Sequence, residues 1–340
     1  MKVLAIGATG FIGRHVIPLL VEQGIEVAVL HRGATGADLP AGVRRIRGNR
    51  NHLDHAKAEL ERFAPDVVLD AVLYTEQQAR EVVEAFRGNT GRLVALSSAD
   101  VYRNYDGFRG KSTAQPDPVP LAEDAPLRDT RYPYRGSGMI FEHADDYEKV
   151  LVEQVLLAES DFPVTVLRLP AVYGPGDAQH RLRPYLQRMV DGRPGILLHE
   201  KQAAWRWTRG YVGNVAAAIA LAVADPRTGR RVFNVGDEPA LSERKWVERI
   251  GAAAGWRGGV VAVSASELPK HLKQPFDWQY ELWTNTSSIR EELGYVELIP
   301  LDEALERTVE WERSTLDGIE PLNYGEEDAV LRSKLDSDAV

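Results

Sequence analysis

The sequence predicts an α/β fold, a doubly wound parallel sheet with a smaller, mostly C-terminal second domain. Residues 2–6 form an almost unbroken apolar run, which is typical of a strand buried on both faces. Glycines follow at positions 7, 10 and 13, and apolar residues then recur with helical period. Further along the chain, strand-like runs alternate with longer amphipathic segments, which favours helices on both faces of one sheet.

The glycine-rich turn after the first strand predicts a phosphate cradle. Glycine allows a tight turn and a close backbone approach to a pyrophosphate, and free N–H groups at a helix start attract the anion. A strand before the turn and a helix after it are the context that a dinucleotide site requires, so a Rossmann-like domain is expected. The cofactor-binding candidates in this stretch are Gly7, Thr9, Gly10, Phe11, Ile12 and Gly13.

The composition excludes several classes of function. The 340 residues include 41 basic and 50 acidic ones, a net charge of −9, which argues against nucleic-acid or anionic-membrane partners. The absence of cysteine excludes disulfides and thiolate chemistry, and the eight histidines form no close metal-ligand pair. With a strand predicted from residue 2 and no apolar run long enough to span a bilayer, a cytoplasmic protein without a signal peptide is expected.

The remaining elements can be placed by their apolar runs. Further strands are predicted at 26–30, 43–46, 67–73, 93–97, 164–169 and 232–235, and helices at 185–190, 215–223 and 245–253. The long polar segment from Tyr102 to Tyr147 is typical of a lid or binding loop. We expect a dinucleotide domain (1–170 plus about 203–235), a substrate domain (about 171–202 plus 236–320) and a flexible tail (321–340).

Three further motifs carry a family resemblance. They are Leu96-Ser97-Ser98-Ala99-Asp100-Val101-Tyr102, the pair Lys149 and Glu153, and the stretch from Arg168 to Gly176. Together with the G-x-x-G-x-x-G turn, they resemble the extended, epimerase/dehydratase-like branch of the short-chain dehydrogenase/reductase superfamily. The resemblance implies that Ser98 holds the reacting substrate oxygen and that Lys149 binds the nicotinamide ribose. It places Ala71, Ser97, Pro170 and Val172 beside the cofactor.

The end of the second predicted strand bears on cofactor choice. An acidic residue there accepts hydrogen bonds from the ribose in NAD-binding folds, but here the residues are His31 and Arg32. A guanidinium attracts a 2′-phosphate, so NADP is favoured over NAD. Asn49 stands where the family has an Asp beside the adenine, and Arg50 is the next cofactor-binding candidate.

The acid/base position departs from the family. The usual tyrosine lies four residues before the lysine, where this chain has Asp145, while Tyr147 lies only two before it. If residues 145–154 form one regular helix, residues two apart point in opposite directions, so Tyr147 cannot simply substitute. Three hypotheses stay open: Asp145 is the acid/base, a loop tyrosine such as Tyr132 or Tyr134 serves, or the hydride chemistry is lost.

Other departures concern the substrate. Ala99 and Asp100 replace the Asp-Glu pair of sugar dehydratases, and Ala171 replaces the usual Asn, so nucleotide-sugar chemistry is disfavoured. The substrate-binding candidates are Asp100, Tyr134, Arg206 and Arg209. The resemblance implies an NAD(P)-dependent oxidoreductase or epimerase-like enzyme acting on a small polar metabolite. A non-catalytic NAD(P)-binding sensor or regulatory protein is the alternative, and the superfamily also allows a homodimer.

Overall fold

The structure is a computed structural model that describes residues 1–33, 39–138 and 143–338, with side chains as far as Lys334. The strands are β1 Lys2–Ile6, β2 Glu26–His31, β3 Arg44–Arg47, β4 Val67–Asp70, β5 Arg92–Ser98, β6 Val164–Leu169, β7 Ala171–Tyr173, β8 Gly195–His199, β9 Arg209–Tyr211, β10 Arg230–Asn234 and β11 Gly259–Val263. The helices are α1 Gly13–Glu22, α2 Lys57–Phe63, α3 Glu76–Phe86, α4 Arg103–Phe108, α5 Lys149–Ala158, α6 Arg183–Val190, α7 Glu200–Ala204, α8 Val212–Ala224, α9 Glu243–Ala253, α10 Ser287–Leu293, α11 Leu301–Arg313 and α12 Gly325–Asp338.

Seven parallel strands form the central sheet, in the order β10-β6-β5-β4-β1-β2-β3. Val3 of β1 pairs with Val27 of β2 on one side and with Val67 of β4 on the other. The strand order reverses between β1 and β4, and ligands of such sheets bind in the crevice outside the carboxyl ends at this point. The predicted Rossmann-like fold class is therefore confirmed.

Helices cover both faces of this sheet. Because side chains alternate along a strand, Val3 and Ala5 of β1 pack into one buried cluster with residues of α1 and α8. Leu4 and Ile6 point the other way and pack with residues of α3 and α5. The strands have near-continuous apolar sequences because helices bury both faces of the sheet. No helix in the described ranges is long and apolar enough to cross a membrane.

Two of the differences from the sequence prediction have a local cause in the structure. Strand β4 ends at Asp70 rather than at residue 73, because the Asp70 carboxylate accepts a hydrogen bond from the Val72 N–H and turns the chain. The C-terminal segment, expected to be a flexible tail, forms α12 instead. Its Glu327 makes a buried ion pair with Arg188 at 2.7 Å, and Leu331 packs against the small β8–β11 sheet.

Candidate active site

The glycine turn after β1 has the shape of a cradle. Gly7 has φ +73°, and a Cβ at Gly13 would overlap the backbone of Ala8. The chain itself therefore requires both glycines. Apart from its two chain neighbours, no residue that the structure describes would come closer to a Cβ at Gly10 than the Gly7 carbonyl oxygen, at 3.9 Å. The open space above Gly10 suits a group that approaches the backbone closely, as a pyrophosphate does at such a turn.

Two apolar residues of the turn, Phe11 and Ile12, pack against the rest of the protein. Phe11 and Ile12 are partly buried against the core, and a Cβ at Gly176 would come within 3.4 Å of Phe11. The Thr9 carbonyl accepts a hydrogen bond from Arg14 Nε at 3.3 Å.

The residues predicted to bind the adenosine half have different environments. Arg32 is exposed just after β2, and the Asn49 side chain accepts the Asn51 N–H at 3.0 Å. Arg50 is 8% exposed, and its Nε lies 2.9 Å from the carboxylate of Asp70. Burial raises the pKa of Asp70, and Arg50 partly offsets this effect. Arg50 is thus engaged inside the protein beneath the crevice, whereas Arg32 remains at the surface.

The end of β5 supplies two serines with separate partners. Ser97 is buried and donates a hydrogen bond to Glu153 at 2.6 Å, and Glu153 also pairs with Arg168 at 2.7 Å. The Ser97 hydroxyl is therefore bound within the protein. The Ser98 Oγ accepts the Asp100 N–H at 3.2 Å, which caps the short 3₁₀ helix Ala99–Val101.

Helix α5 begins at Lys149, so the prediction of one regular helix from Asp145 is wrong. Glu148 is the N-cap residue, and its carboxylate accepts the Val150 N–H at 3.0 Å. Asp145 lies before the helix, is exposed, and accepts the Gly136 N–H at 3.0 Å. Because Asp145 and Tyr147 both precede the helix, the spacing rules of a helix do not apply to them. Asp145 need not share a face with Lys149, and Tyr147 need not point away from it.

Tyr147 enters the site from the segment before α5. It is 6% exposed, its hydroxyl donates to the Asp100 carboxylate at 2.8 Å, and it is hydrogen-bonded to Ser98. Burial, followed by the charge of Asp100, raises the pKa of the Tyr147 hydroxyl well above its ordinary value. The hydroxyl is consequently a protonated hydrogen-bond donor at neutral pH.

Lys149 lies beneath these groups with its ammonium buried. Its Nζ donates to the carbonyl oxygens of Leu73 and Leu96, each at 2.7 Å. It lies 4.9 Å from the ring centroid of Tyr74 and 5.8 Å from that of Tyr147. Burial lowers the pKa of Lys149 to about 8, although nearby carboxylates, Asp100 foremost, act in the opposite direction.

The long polar segment contributes a second tyrosine to Asp100. The Tyr134 hydroxyl donates to the same carboxylate oxygen as Tyr147, also at 2.8 Å, and lies 2.9 Å from the hydroxyl of Tyr105. Burial raises the pKa of Tyr134 well above its ordinary value and that of Tyr105 to about 12. The structure thus brings Ser98, Asp100, Tyr134, Tyr147 and Lys149 together.

One ion pair joins this segment to the start of α5. Both oxygens of Glu148 accept from Arg128, at 2.7 and 2.9 Å, and both side chains are completely buried. Arg128 Nε also donates to the Asp100 carbonyl at 3.1 Å. Sequence reasoning missed Arg128, Glu148, Tyr74 and Tyr105. A tyrosine just after a strand's carboxyl end could have identified Tyr74, but no local signal joins Arg128 to Glu148.

Four other predicted residues lie on neighbouring loops and strands. Pro170 separates β6 from β7, and Val172 is a buried β7 residue that pairs with Gly210. Arg209 is mostly buried and forms an ion pair with Glu243. Arg206 is exposed and lies 5.1 Å from the ring centroid of Trp283. Of the two arginines, only Arg206 is exposed to solvent.

Comparisons with known proteins agree with this architecture. The family model described as "NAD dependent epimerase/dehydratase family" matches residues 3–236. A UDP-glucose 4-epimerase of Streptomyces lividans is 32% identical over 277 residues, 75% of this chain and 81% of the relative. A 2′-dehydrokanamycin reductase of Streptomyces kanamyceticus is 26% identical over 280 residues, 80% of this chain and 72% of the relative.

A solved structure shows the same fold. The UDP-glucose 4-epimerase of Thermus thermophilus, in complex with NAD, superposes with a TM-score of 0.65 at 23% identity. The alignment covers 94% of this chain and all of the other.

Proposed function

This chain belongs to the NAD-dependent epimerase/dehydratase family, and from that premise we propose that it is an NAD(P)-dependent oxidoreductase or epimerase-like enzyme acting on a small polar metabolite. Tyr147 is the acid/base in this proposal, in place of Asp145. Ser98 holds the substrate oxygen at which the proton is exchanged. Lys149 supports the site from below by binding a ribose hydroxyl.

One observation carries the proposal: Tyr147 and Ser98 both bond Asp100, the tyrosine hydroxyl at 2.8 Å to its carboxylate and the serine hydroxyl at 3.2 Å to its N–H, and the Lys149 ammonium lies 5.8 Å from the Tyr147 ring. These residues meet where β4 and β5 end, at the edge of the sheet where ligands of this fold bind. Asp145 offers no comparable geometry, because its carboxylate accepts the Gly136 N–H on an exposed turn.

The residues present suit a dinucleotide. The open space above Gly10 would admit its pyrophosphate, and two of the three Lys149 hydrogens bind the Leu73 and Leu96 carbonyls, which leaves the third for a ribose hydroxyl. When bound, the nicotinamide ring supplies a site that accepts or donates hydride. The protein's part is to orient the substrate oxygen at Ser98 and to exchange its proton at Tyr147.

The deciding experiment measures dinucleotide binding and turnover with candidate substrates. We would incubate the purified chain with NADPH or NADH and a panel of carbonyl compounds, and separately with UDP-glucose and the oxidised cofactor. Nicotinamide absorbance and product analysis then report turnover. Dinucleotide binding with turnover of any of these compounds is expected. Binding without turnover would favour the sensor alternative, and binding of neither dinucleotide would contradict the proposed site.

We also propose that NADP is the preferred cofactor. The motivating feature is Arg32, an exposed guanidinium after β2, beside His31 where NAD-binding relatives of this fold carry an acid. Charge-assisted hydrogen bonds contribute about 1.5–3 kcal/mol, or roughly 10- to 100-fold in affinity. Arg32→Asp should therefore weaken NADPH binding by about that factor without weakening NADH binding, as measured by fluorescence titration. Equal losses for both cofactors would show that Arg32 does not contact a 2′-phosphate.

A further inference from the structure

The carboxylate of Asp100 accepts two phenol hydrogens on one oxygen. Asp100 is 7% exposed, and its Oδ2 accepts from Tyr147 and from Tyr134, each at 2.8 Å. Its Oδ1 is buried and has no hydrogen-bond partner among the residues that the structure describes. A buried carboxylate with one unpaired oxygen is costly to keep, which indicates a role beyond packing.

The direction of each hydrogen bond follows from the single hydrogen on each phenol. Because Tyr147 and Tyr134 both give their hydrogen to Asp100, their oxygens are available only as acceptors. The Tyr147 oxygen then accepts from Ser98, and the Tyr134 oxygen accepts from Tyr105. Two chains of hydrogen bonds therefore converge on one carboxylate oxygen.

This arrangement raises a difficulty for Tyr147 as a base. Oxidation of an alcohol requires a group that takes the hydroxyl proton, and an ionised phenol would do so directly. Here the pKa of the Tyr147 hydroxyl is raised by burial and by Asp100, so the group is a neutral phenol at neutral pH. A neutral phenol can accept a proton only if it releases its own at the same time.

We propose that Tyr147 and Asp100 form a proton relay, in which Tyr147 passes its hydrogen to Asp100 Oδ2 while it takes the hydrogen of the substrate hydroxyl. This inference rests on the proposed function. The substrate O–H bond and the original Tyr147 O–H bond break, and new O–H bonds form at Tyr147 and at Asp100. The C–H electron pair leaves as hydride to the oxidised nicotinamide dinucleotide, and the substrate becomes a carbonyl compound. Reduction follows the reverse path.

Among the described residues, two cations interact with the Asp100 side chain. Arg128 and Lys149 are the cations that interact with it, and Arg128 is itself neutralised by Glu148. The titratable and charged groups that face the carboxylate come from α4, from the long polar segment and from the start of α5: Tyr105, Arg128, Tyr134, Tyr147 and Lys149. In this scheme Tyr147 is the catalytic residue, and Asp100 is a positioning residue that acts through it.

The first test needs neither cofactor nor substrate. Tyrosinate absorbance is titrated for the wild type, Asp100→Asn, Tyr147→Phe and the double variant, so that the Tyr147 ionisation is obtained by difference. In Asp100→Asn we expect Tyr147 to ionise about 1–3 pH units lower, because the neighbouring negative charge is gone. Asp117→Asn, a buried carboxylate outside the cluster that pairs with Arg103, is the matched control and should leave Tyr147 unchanged. An unshifted Tyr147 in Asp100→Asn would overturn the relay.

The second test uses the compound turned over by the wild type. At neutral pH, Asp100→Asn should lose about 10²- to 10⁴-fold in oxidation rate, and its rate should rise with pH as Tyr147 ionises. Asp100→Glu keeps the carboxylate and should recover part of the rate. A wild-type pH profile in Asp100→Asn would contradict the relay. Because the tyrosine titration is made on the cofactor-free protein, failure of the relay and failure of the proposed function give different results.

Discussion

Replacing Tyr147 by phenylalanine should lower turnover by about 10²- to 10⁴-fold and leave dinucleotide affinity within roughly twofold of the wild type. Only the hydroxyl that bonds Ser98 and Asp100 is lost. The ring keeps its neighbours, since the Tyr147 centroid lies 5.0 Å from that of Tyr134 and 6.0 Å from that of Tyr74. Steady-state kinetics and fluorescence titration with NADPH measure the two quantities separately.

A matched control removes the same atom elsewhere. Tyr324 lies just before α12, where its hydroxyl bonds Asp191, and Tyr324→Phe should retain the wild-type rate. Asp145→Asn distinguishes the two candidate acids. If Asp145→Asn abolished turnover while Tyr147→Phe did not, the assignment of Tyr147 would be wrong. Asp145, four residues before Lys149, would then be the acid/base.

Replacing Arg128 by methionine should lower the free energy of unfolding by about 3–5 kcal/mol. Removing one partner of a buried ion pair leaves the other charge uncompensated, and the Arg128 and Glu148 side chains are both fully buried. The experiment follows urea unfolding by circular dichroism and by tryptophan fluorescence. Coincidence of the two transitions tests whether one free energy describes a chain of this length.

The control is an arginine whose ion pair faces solvent. Arg80 pairs with Glu76 four residues earlier on α3, and its side chain is 62% exposed, so Arg80→Met should cost only about 0.3–0.5 kcal/mol. The double variant Arg128→Met/Glu148→Gln should recover part of the Arg128→Met loss, because the stranded charge is removed. Equal costs for the two single arginine variants would mean that the Arg128 pair does not anchor the segment.

Local patterns were sufficient for the central sheet. The apolar runs of β1 and β6 and the glycines at 7, 10 and 13 place the strands and the cradle, because burial on both faces requires near-continuous apolar sequence. Strand ends are less predictable. The end of β4 depends on one side chain, Asp70, that bonds the backbone two residues later.

The position of Tyr147 could not be predicted from spacing alone. A regular helix through Glu148 would direct Tyr147 away from Lys149, and the local sequence is compatible with such a helix. The actual start of α5 is fixed by Arg128, which lies 20 residues earlier and binds the Glu148 carboxylate. Ser98, Lys149 and Asp100 were found because each follows a strand or lies in a motif, whereas Arg128 is recognisable only in three dimensions.

The Glu148 carboxylate has two roles: it caps the N-terminus of α5, and it forms the ion pair with Arg128. If Arg128 separated from Glu148, the cap on the first turn of the helix that carries Lys149 would lose its neutralising partner. Breaking this ion pair would therefore also disrupt the candidate site. We expect the amide protons of Tyr132 and Val150, which both bond the Glu148 carboxylate, to exchange with solvent as slowly as those of the sheet. Ligands should accordingly enter and leave the crevice without breaking the ion pair between Arg128 and Glu148.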